Sequence, residues 1–194
     1  MNTQLSNAAY ENYFQNGVDY DTYRDSFQAE MAQEEQGKYG EYLPQNWSRQ
    51  SRLDRKLKLT EALLESIANL DKSLKWLLIT EHWCGDASQI NPVIGKIAEL
   101  SEGKIDLRFT YRDENEELIN AHLTDGRSKS IPILLSFDVD YNLLGTYGPR
   151  PAEAQELVKS LLAKKESYNI PLHTWYAKDK QKAIQVDLGN ILAL

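Results

Sequence analysis

The spacing of hydrophobic positions changes several times along the chain, and each change predicts a new element. Residues 74–80 form a short apolar run bounded by charge, which predicts a buried strand. Residues 105–111 alternate between apolar and polar, which predicts a second strand with one partly covered face. Two further apolar runs, 131–137 and 141–147, are joined by the short connection 138–140 and predict a hairpin.

Apolar residues spaced three and four positions apart predict helices between and after these strands. Such spacing occurs after the first strand at residues 87, 90, 94 and 97. It also predicts helices over 53–70, over 114–123 with Asp113 as cap, and over 152–165. Parallel strands with intervening helices, followed by a hairpin, predict an α/β fold in which helices flank one mixed sheet.

The chain divides into three predicted segments. Residues 1–52 form a helical N-terminal extension with a loop at 37–47, residues 53–166 form the central domain, and residues 167–194 form a helical C-terminal extension. Pro171 is expected to break the chain, and the C-terminal extension either packs on the domain or forms an oligomer contact. The aromatic residues of the N-terminal extension either bury against the core or form a lid or partner-binding arm. They are Tyr10, Tyr13, Phe14, Tyr20, Tyr23 and Phe27.

Composition excludes several classes of function for these 194 residues. A net charge of −7 argues against nucleic-acid binding, which requires a positive face. No apolar run approaches the length of a membrane span, so no membrane partner is expected. The first residues lack the basic and apolar regions of a signal peptide, and a single cysteine excludes an internal disulfide. A cytoplasmic location is therefore expected.

The candidate chemistry centres on that cysteine, Cys84, at the turn between the first strand and its following helix. The positive end of a helix dipole favours thiolate, and thiols at helix starts have pKa values of about 3.5–7.5. Asp86 shares the first turn, where its carboxylate interacts with the helix end and opposes a second negative charge. His82 would offset this repulsion if its imidazole reached the sulfur. The alternative is a buried structural cysteine.

Four features together resemble the thioredoxin superfamily. Trp83-Cys84-Gly85 followed by a helix resembles the family's active-site turn, and Pro92 stands where thioredoxins carry the proline that kinks this helix. Ile131-Pro132 resembles the cis-proline loop that faces the thiol, and Gly148 matches the glycine where the last strand passes close to that loop. The resemblance implies a thioredoxin-like fold. The site that it implies around Cys84 consists of Trp83, Gly85, Asp86, Ala87, Ile131, Pro132 and Gly148.

The chain departs from the family pattern at the positions that carry its chemistry. Ala87 stands in place of the second cysteine, Asp86 in place of the intervening proline, and Leu78 in place of the buried acid. The family's two-cysteine reaction is therefore impossible within one chain. The usual first strand is not evident either, and it is missing unless the loop around Tyr42 and Leu43 replaces it.

These observations leave two hypotheses of function. The first is monothiol thiol–disulfide exchange at Cys84 through mixed disulfides, a role in cell redox homeostasis that needs an external thiol for turnover. Its partner would be a protein or a low-molecular-weight thiol or disulfide. The alternative is a redox-inactive, thioredoxin-fold protein-binding module whose groove the N-terminal aromatic residues fill or cover. No metal-ligand spacing is present, and no cofactor is expected.

Overall fold

The fold is built on one mixed sheet of four strands. The computed structural model describes residues 4–33 and 37–194, and places β1 at Leu74–Thr80, β2 at Ile105–Tyr111, β3 at Ile133–Phe137 and β4 at Leu143–Tyr147. The strand order is β2-β1-β3-β4. β1 runs parallel to β2 and antiparallel to β3, and β4 runs antiparallel to β3. This arrangement confirms the predicted α/β fold with a mixed sheet.

Helices cover both faces of this sheet. In chain order they are α1 Asn7–Gln15, α2 Tyr20–Met31, α3 Leu43–Lys56, α4 Glu61–Ala68, α5 Ala87–Leu100, α6 Glu116–Ala121, α7 Ala152–Ala163, α8 Asn169–Asp179 and α9 Lys182–Leu192. A single turn of 3-10 helix, Gly40–Tyr42, precedes α3. Residues 1–3 and 34–36, which fall in the predicted N-terminal extension, lie outside the described residues.

The alternation of side chains along β1 divides the core into two clusters. Leu74, Trp76 and Leu78 belong to the larger cluster, which α2, α4, α5, α7, α8 and α9 cover. Leu77 and Ile79 point to the opposite face, where α1 and α6 cover them. Tyr10 and Phe14 of α1 are buried in this second cluster, so the aromatic residues of the N-terminal segment form part of the core.

The structure corrects the prediction around α3. Residues 43–47 were predicted as loop, but Pro44 lies in the first turn of a helix. Proline is tolerated there because N–H groups of the first turn have no hydrogen-bond partner within the helix. The predicted helix over 53–70 is two helices, because α3 ends at Lys56 and Thr60 caps α4 through a bond from Leu63 N–H. The predicted boundary after residue 52 therefore falls inside α3.

The C-terminal segment also differs from the prediction of one helix after a break at Pro171. Pro171 lies in the first turn of α8, where proline is tolerated, and does not break it. The break comes instead at Lys180 and Gln181, whose φ angles of 56° and 61° end α8 and separate it from α9. Likewise α6 is shorter than predicted and begins after Asn115, not after Asp113.

The edge of the sheet beside β2 is bridged by Val18, which lies between α1 and α2. Val18 N–H donates to the Phe109 carbonyl at 2.9 Å, and Phe109 N–H donates to the Val18 carbonyl at 2.7 Å. The segment around Tyr42 and Leu43, the predicted substitute for a first strand, is helical instead. Within residues 4–33 and 37–194, no helix is both long enough and apolar enough to cross a membrane.

Candidate functional site

The turn between β1 and α5 carries the cysteine. Cys84 N–H donates to the Glu81 carbonyl at 3.2 Å, and the Ser88 hydroxyl donates to the Gly85 carbonyl at 2.7 Å. These bonds close the turn, and Cys84 and Ala87 belong to the second core cluster, the one that contains Leu77 and Ile79. Ala87, at the position of the family's second cysteine, is 1% exposed.

The environment of the Cys84 sulfur opposes ionisation. The residue is 7% exposed, and its thiol donates to the Ile131 carbonyl oxygen with an Sγ–O distance of 3.3 Å. Burial, and then the charge of Asp86, raise the pKa of the thiol to about 12. The backbone N–H groups of Asp86 and Ala87 act in the opposite direction but do not prevail. The expectation of a lowered thiol pKa was wrong, because removal of the thiol from water outweighs the effect of the helix start.

Asp86 is held by two distant residues and does not cap the helix that it precedes. Arg150 donates to Asp86 Oδ2 from Nε at 3.0 Å and from Nη2 at 2.5 Å. The Tyr176 hydroxyl donates to Asp86 Oδ1 at 2.6 Å. Among the described residues, no side-chain hydrogen bond caps α5, so an interaction of Asp86 with the helix end is limited to the attraction between its charge and the dipole. The carboxylate thus ties the Cys84 turn to the segment before α7 and to α8.

The His82 imidazole is bonded to α2 on both of its nitrogen atoms. Nδ1 lies 2.6 Å from Glu30 Oε2, and Nε2 lies 3.2 Å from the Tyr23 carbonyl oxygen. The ring stacks on Phe27 with centroids 4.5 Å apart. Burial lowers the pKa of His82, although the bond to Glu30 opposes this. Among the contacts of the described residues, none joins this ring to the Cys84 sulfur. The hypothesis that His82 favours the thiolate is therefore not supported by a contact.

Pro132 and Gly148 meet as the resemblance implied. The Ile131–Pro132 peptide bond is cis, as is the Gly148–Pro149 bond. Gly148 has a φ of 129°, which L-residues rarely adopt, and a Cβ there would overlap the Pro132 carbonyl oxygen. Only glycine fits this crossing, which places the Ile131 carbonyl within reach of Cys84.

A pocket of about 440 Å³ opens at the Cys84 turn. Trp83, Cys84, Gly85, Asp86 and Ile131 line it together, whereas His82, Ala87, Pro132 and Gly148 do not. Its remaining walls come from residues that sequence reasoning did not select. They are Tyr39, Tyr42, Gln45, Asn46 and Arg49 near α3, Arg112 after β2, Ser130 and Arg150, and Tyr168, Asn169, Leu172 and His173 at α8.

Aromatic and cationic groups surround the Trp83 indole. Tyr39 packs on it with centroids 4.6 Å apart, and the Arg112 guanidinium lies 4.7 Å from its centroid. His173 lies across the turn, since a Cβ on Gly85 would be 2.8 Å from His173 Nε2. Burial lowers the pKa of His173 to about 4, so its imidazole is neutral at pH 7. No sequence signal joins Arg49 or His173 to Cys84, because only the packing of α3 and α8 brings them there.

Comparison with known families gives this architecture a name. The family model described as thioredoxin matches residues 31–166, which is more than half of the chain. The chain belongs to the thioredoxin family. Its motif is degenerate, since Trp83-Cys84-Gly85-Asp86-Ala87 contains the only cysteine of the sequence. A comparison with curated proteins gave no match.

Two solved structures share the fold of this thioredoxin-family chain. A protein of unknown function from Pseudomonas aeruginosa superposes with a TM-score of 0.66 at 20% identity, over 95% of this chain and 96% of the other. An HIV epitope scaffold superposes with a TM-score of 0.66 at 18% identity, over 95% of this chain and 97% of the scaffold. At these identities the similarity establishes the fold alone, and it extends over nearly the whole chain.

Proposed function

We propose that this thioredoxin-family protein is a redox-inactive binding protein, in which the pocket beside Cys84 carries the function and the thiol does not. The observation that supports this most strongly is the burial of Cys84, whose thiol pKa is raised to about 12. The thiolate is the nucleophile in disulfide exchange, so such a thiol is nearly inert at neutral pH. This is the second of the two hypotheses that the sequence left open.

The surroundings of the thiol support the same interpretation. Ala87 is buried where a resolving cysteine would stand, and Asp86 faces Arg150 and Tyr176. Tyr39 and Tyr42 line the pocket, whereas none of the six N-terminal aromatic residues named in the sequence analysis does. The pocket has the volume of a small-molecule site, which is typically about 300–1,000 Å³.

Alkylation of the only cysteine across pH tests this proposal directly. An ordinary thiol has a pKa of 9.0, whereas the pKa of Cys84 is raised to about 12. Below pH 9, the thiolate fraction of Cys84 is therefore about a thousandfold lower than that of an ordinary thiol. Iodoacetamide should therefore modify the native protein far more slowly than the same protein unfolded in urea, which is the matched control. Equal rates for native and unfolded protein at neutral pH would overturn the proposal.

Monothiol exchange is the second candidate, because Cys84 does contribute to the wall of the pocket. The Cys84 thiolate would attack one sulfur of a low-molecular-weight or protein disulfide in the pocket, break its S–S bond and release the other half as a thiol. An external thiol such as glutathione would then attack the mixed disulfide, form a new disulfide with the bound half and return Cys84 as a thiol. Incubation with oxidised glutathione, followed by mass spectrometry, separates the two candidates. Rapid addition of one glutathionyl group at neutral pH would favour exchange, and its absence would favour binding alone.

Neither candidate permits dithiol reduction, because no second cysteine is available to resolve a mixed disulfide. We expect no turnover in an insulin-reduction assay driven by a thioredoxin reductase. Turnover without added glutathione would contradict both candidates.

A further inference from the structure

The pocket beside Cys84 carries an excess of positive charge in an acidic protein. Among residues 4–33 and 37–194, the charged residues that line it are Arg49, Arg112, Arg150 and Asp86, so three cations against one anion leave a net charge of +2. His173 adds none at neutral pH, since burial lowers its pKa to about 4. The whole chain has a net charge of −7, so this excess is opposite in sign to the protein around it.

The three arginines differ in how far their charge is already compensated. Arg150 is buried in its ion pair with Asp86, and Arg112 pairs with Asp113, whose side chain is 54% exposed. The side-chain bond of Arg49 goes from Nη1 to the neutral Asn46 Oδ1 at 3.0 Å, and no ion pair joins Arg49 to a carboxylate among the described residues. Burial, and then the charge of Arg52, lower the pKa of Arg49. The Arg49 guanidinium is thus partly buried, with no counter-ion in the part of the chain that the structure describes.

His173, in the wall of the pocket, also has a nitrogen without a partner among the described residues. The Nδ1 atom of His173 is buried and has no hydrogen-bond partner in residues 4–33 and 37–194. A buried polar atom without a partner is uncommon in folded proteins and calls for an explanation. Because this nitrogen is closed to solvent, a ligand oxygen would reach it only if the imidazole turned, whereas an oxyanion in the pocket would supply a counter-ion to Arg49 directly.

The walls favour a small molecule over an extended protein segment. Tyr39 and Tyr42 before α3, and Tyr168, Leu172 and His173 of the C-terminal segment, contribute to the walls of the pocket. The Trp83 indole, with Tyr39 and the Arg112 guanidinium packed on it, supplies a flat apolar wall. Guanidinium groups bind planar carboxylates and phosphates through paired N–H donors.

We propose that this pocket binds a small organic oxyanion, a carboxylate or phosphate attached to a flat apolar body. Arg49 and Arg112 would hold the oxyanion, and Trp83 with Tyr39 would contact the apolar part. This inference rests on the proposed function, since it names the class of ligand that the binding protein takes. It does not depend on the state of the Cys84 thiol.

Titration by NMR tests the inference with phthalate, phenyl phosphate and neutral benzamide as probes. Either anion should shift the Trp83 indole N–H resonance, assigned by its loss in Trp83→Phe, at millimolar concentrations, and benzamide should not. Binding by one anion alone would identify the oxyanion group. Equal shifts with benzamide, or none with either anion, would overturn the inference, as would binding of a glutamate-rich peptide when neither small anion binds.

Two variants on the same helix give the matched comparison. Arg49→Met should weaken binding of the anion about tenfold or more, the effect of losing one hydrogen bond to a charged group. Arg52→Met removes the same charge from an exposed side chain outside this pocket and should change the dissociation constant less than twofold. Arg112→Met supplies a second pocket variant should Arg49→Met fail to fold.

Equal weakening by Arg49→Met and Arg52→Met would overturn the inference, because the effect would then be one of total charge. These results are separable from those of the alkylation experiment. If the thiol is inert and no anion binds, the proposed ligand class is wrong but the proposed function stands. If the thiol reacts fast, the protein is not redox-inactive, and the NMR titration alone decides whether the pocket binds anions.

Discussion

At the scale of single residues, the Asp86–Arg150 pair determines the character of the site. Both side chains are nearly buried, at 7% and 11% exposure, and the carboxylate also accepts from Tyr176. A buried pair stabilises the folded state little when compared with an apolar pair, but removing one partner leaves the other charge without compensation. Removing one member of the pair should therefore change the free energy of unfolding more than the intact pair contributes to it.

Asp86→Asn should lower the free energy of unfolding by about 3–5 kcal/mol, because Arg150 would stay buried without its counter-ion. Urea denaturation at neutral pH measures this loss. The double variant Asp86→Asn with Arg150→Met should regain part of the lost stability, since no charge is then left unpaired. A loss below about 1 kcal/mol for the single variant would show that Arg150 reaches water when Asp86 is neutral.

His122 should make stability depend on pH in the acid range. Burial lowers its pKa to about 4, and its Nε2 lies 3.0 Å from the Tyr10 hydroxyl oxygen. The unfolded chain binds a proton near pH 6.5 and the folded chain only near pH 4, so His122 costs stability as the pH falls between these values. Burial raises the pKa of Glu81 to about 7, which has the opposite effect over an overlapping range.

The contribution of His122 is therefore best isolated by comparison with His122→Gln. The stability advantage of the wild type over this variant should shrink as the pH falls from about 6.5 to about 4. Urea denaturation at three pH values in that window measures it. A constant difference across the window would show that His122 keeps its ordinary pKa in the folded state.

At the scale of elements, the crossing of β4 and the loop before β3 fixes the position of the Ile131 carbonyl. Gly148 makes the crossing possible because it lacks a Cβ and tolerates a φ of 129°. The Cys84 thiol donates to this carbonyl, so the crossing also determines what the thiol contacts. The resemblance to the thioredoxin family predicted this meeting, because Gly148 matches the glycine where the family's last strand passes close to the proline loop.

An unfavourable backbone conformation costs about 1–3 kcal/mol. Gly148→Ala should destabilise the protein by more than this, since the new Cβ also overlaps the Pro132 carbonyl oxygen. Gly126→Ala is the matched control, because Gly126 also has a positive φ of 68° but no atom lies within 4 Å of the position that a Cβ would take. Thermal unfolding compares the two variants. Equal losses would mean that the loop at Pro132 moves aside without cost.

At the scale of the whole molecule, the N-terminal helices complete the hydrophobic core. Tyr10 and Phe14 of α1 cover the face of the sheet that carries Leu77 and Ile79. The division into extensions and a central domain stays a prediction, but α1 packs as a layer of the core. This is why the similarity to the solved structures covers 95% of the chain and is not confined to the central residues.

Phe14→Ala should lower the free energy of unfolding by about 3–5 kcal/mol, because it empties a site that is 2% exposed. Leu162→Ala, at a side chain that is 54% exposed on α7, is the control and should change stability by less than about 0.5 kcal/mol. Chemical denaturation followed by circular dichroism measures both. A small loss for Phe14→Ala, with one helix unfolding before the rest, would show that α1 is an independent appendage.

The sequence by itself determined the mixed sheet, the strands that form it and the degenerate motif. The strands at 74–80 and 105–111 were predicted with the bounds that the structure gives, because alternation and short apolar runs are local signals. The absence of a second cysteine, and hence of dithiol chemistry, follows from composition alone. Helix ends were predicted less well, because Pro44 and Pro171 were treated as breaks although each lies in the first turn of a helix.

Only the tertiary structure decided the chemistry of the site. A helix start favours thiolate, but burial and the charge of Asp86 reverse this for Cys84. His82 bonds to α2, and Asp86 bonds to Arg150 and Tyr176, residues far away in the chain. The cationic pocket likewise forms where α3, α8 and the Cys84 turn converge. Protonation and binding depend on which groups surround a site in three dimensions, and the sequence does not specify those neighbours locally.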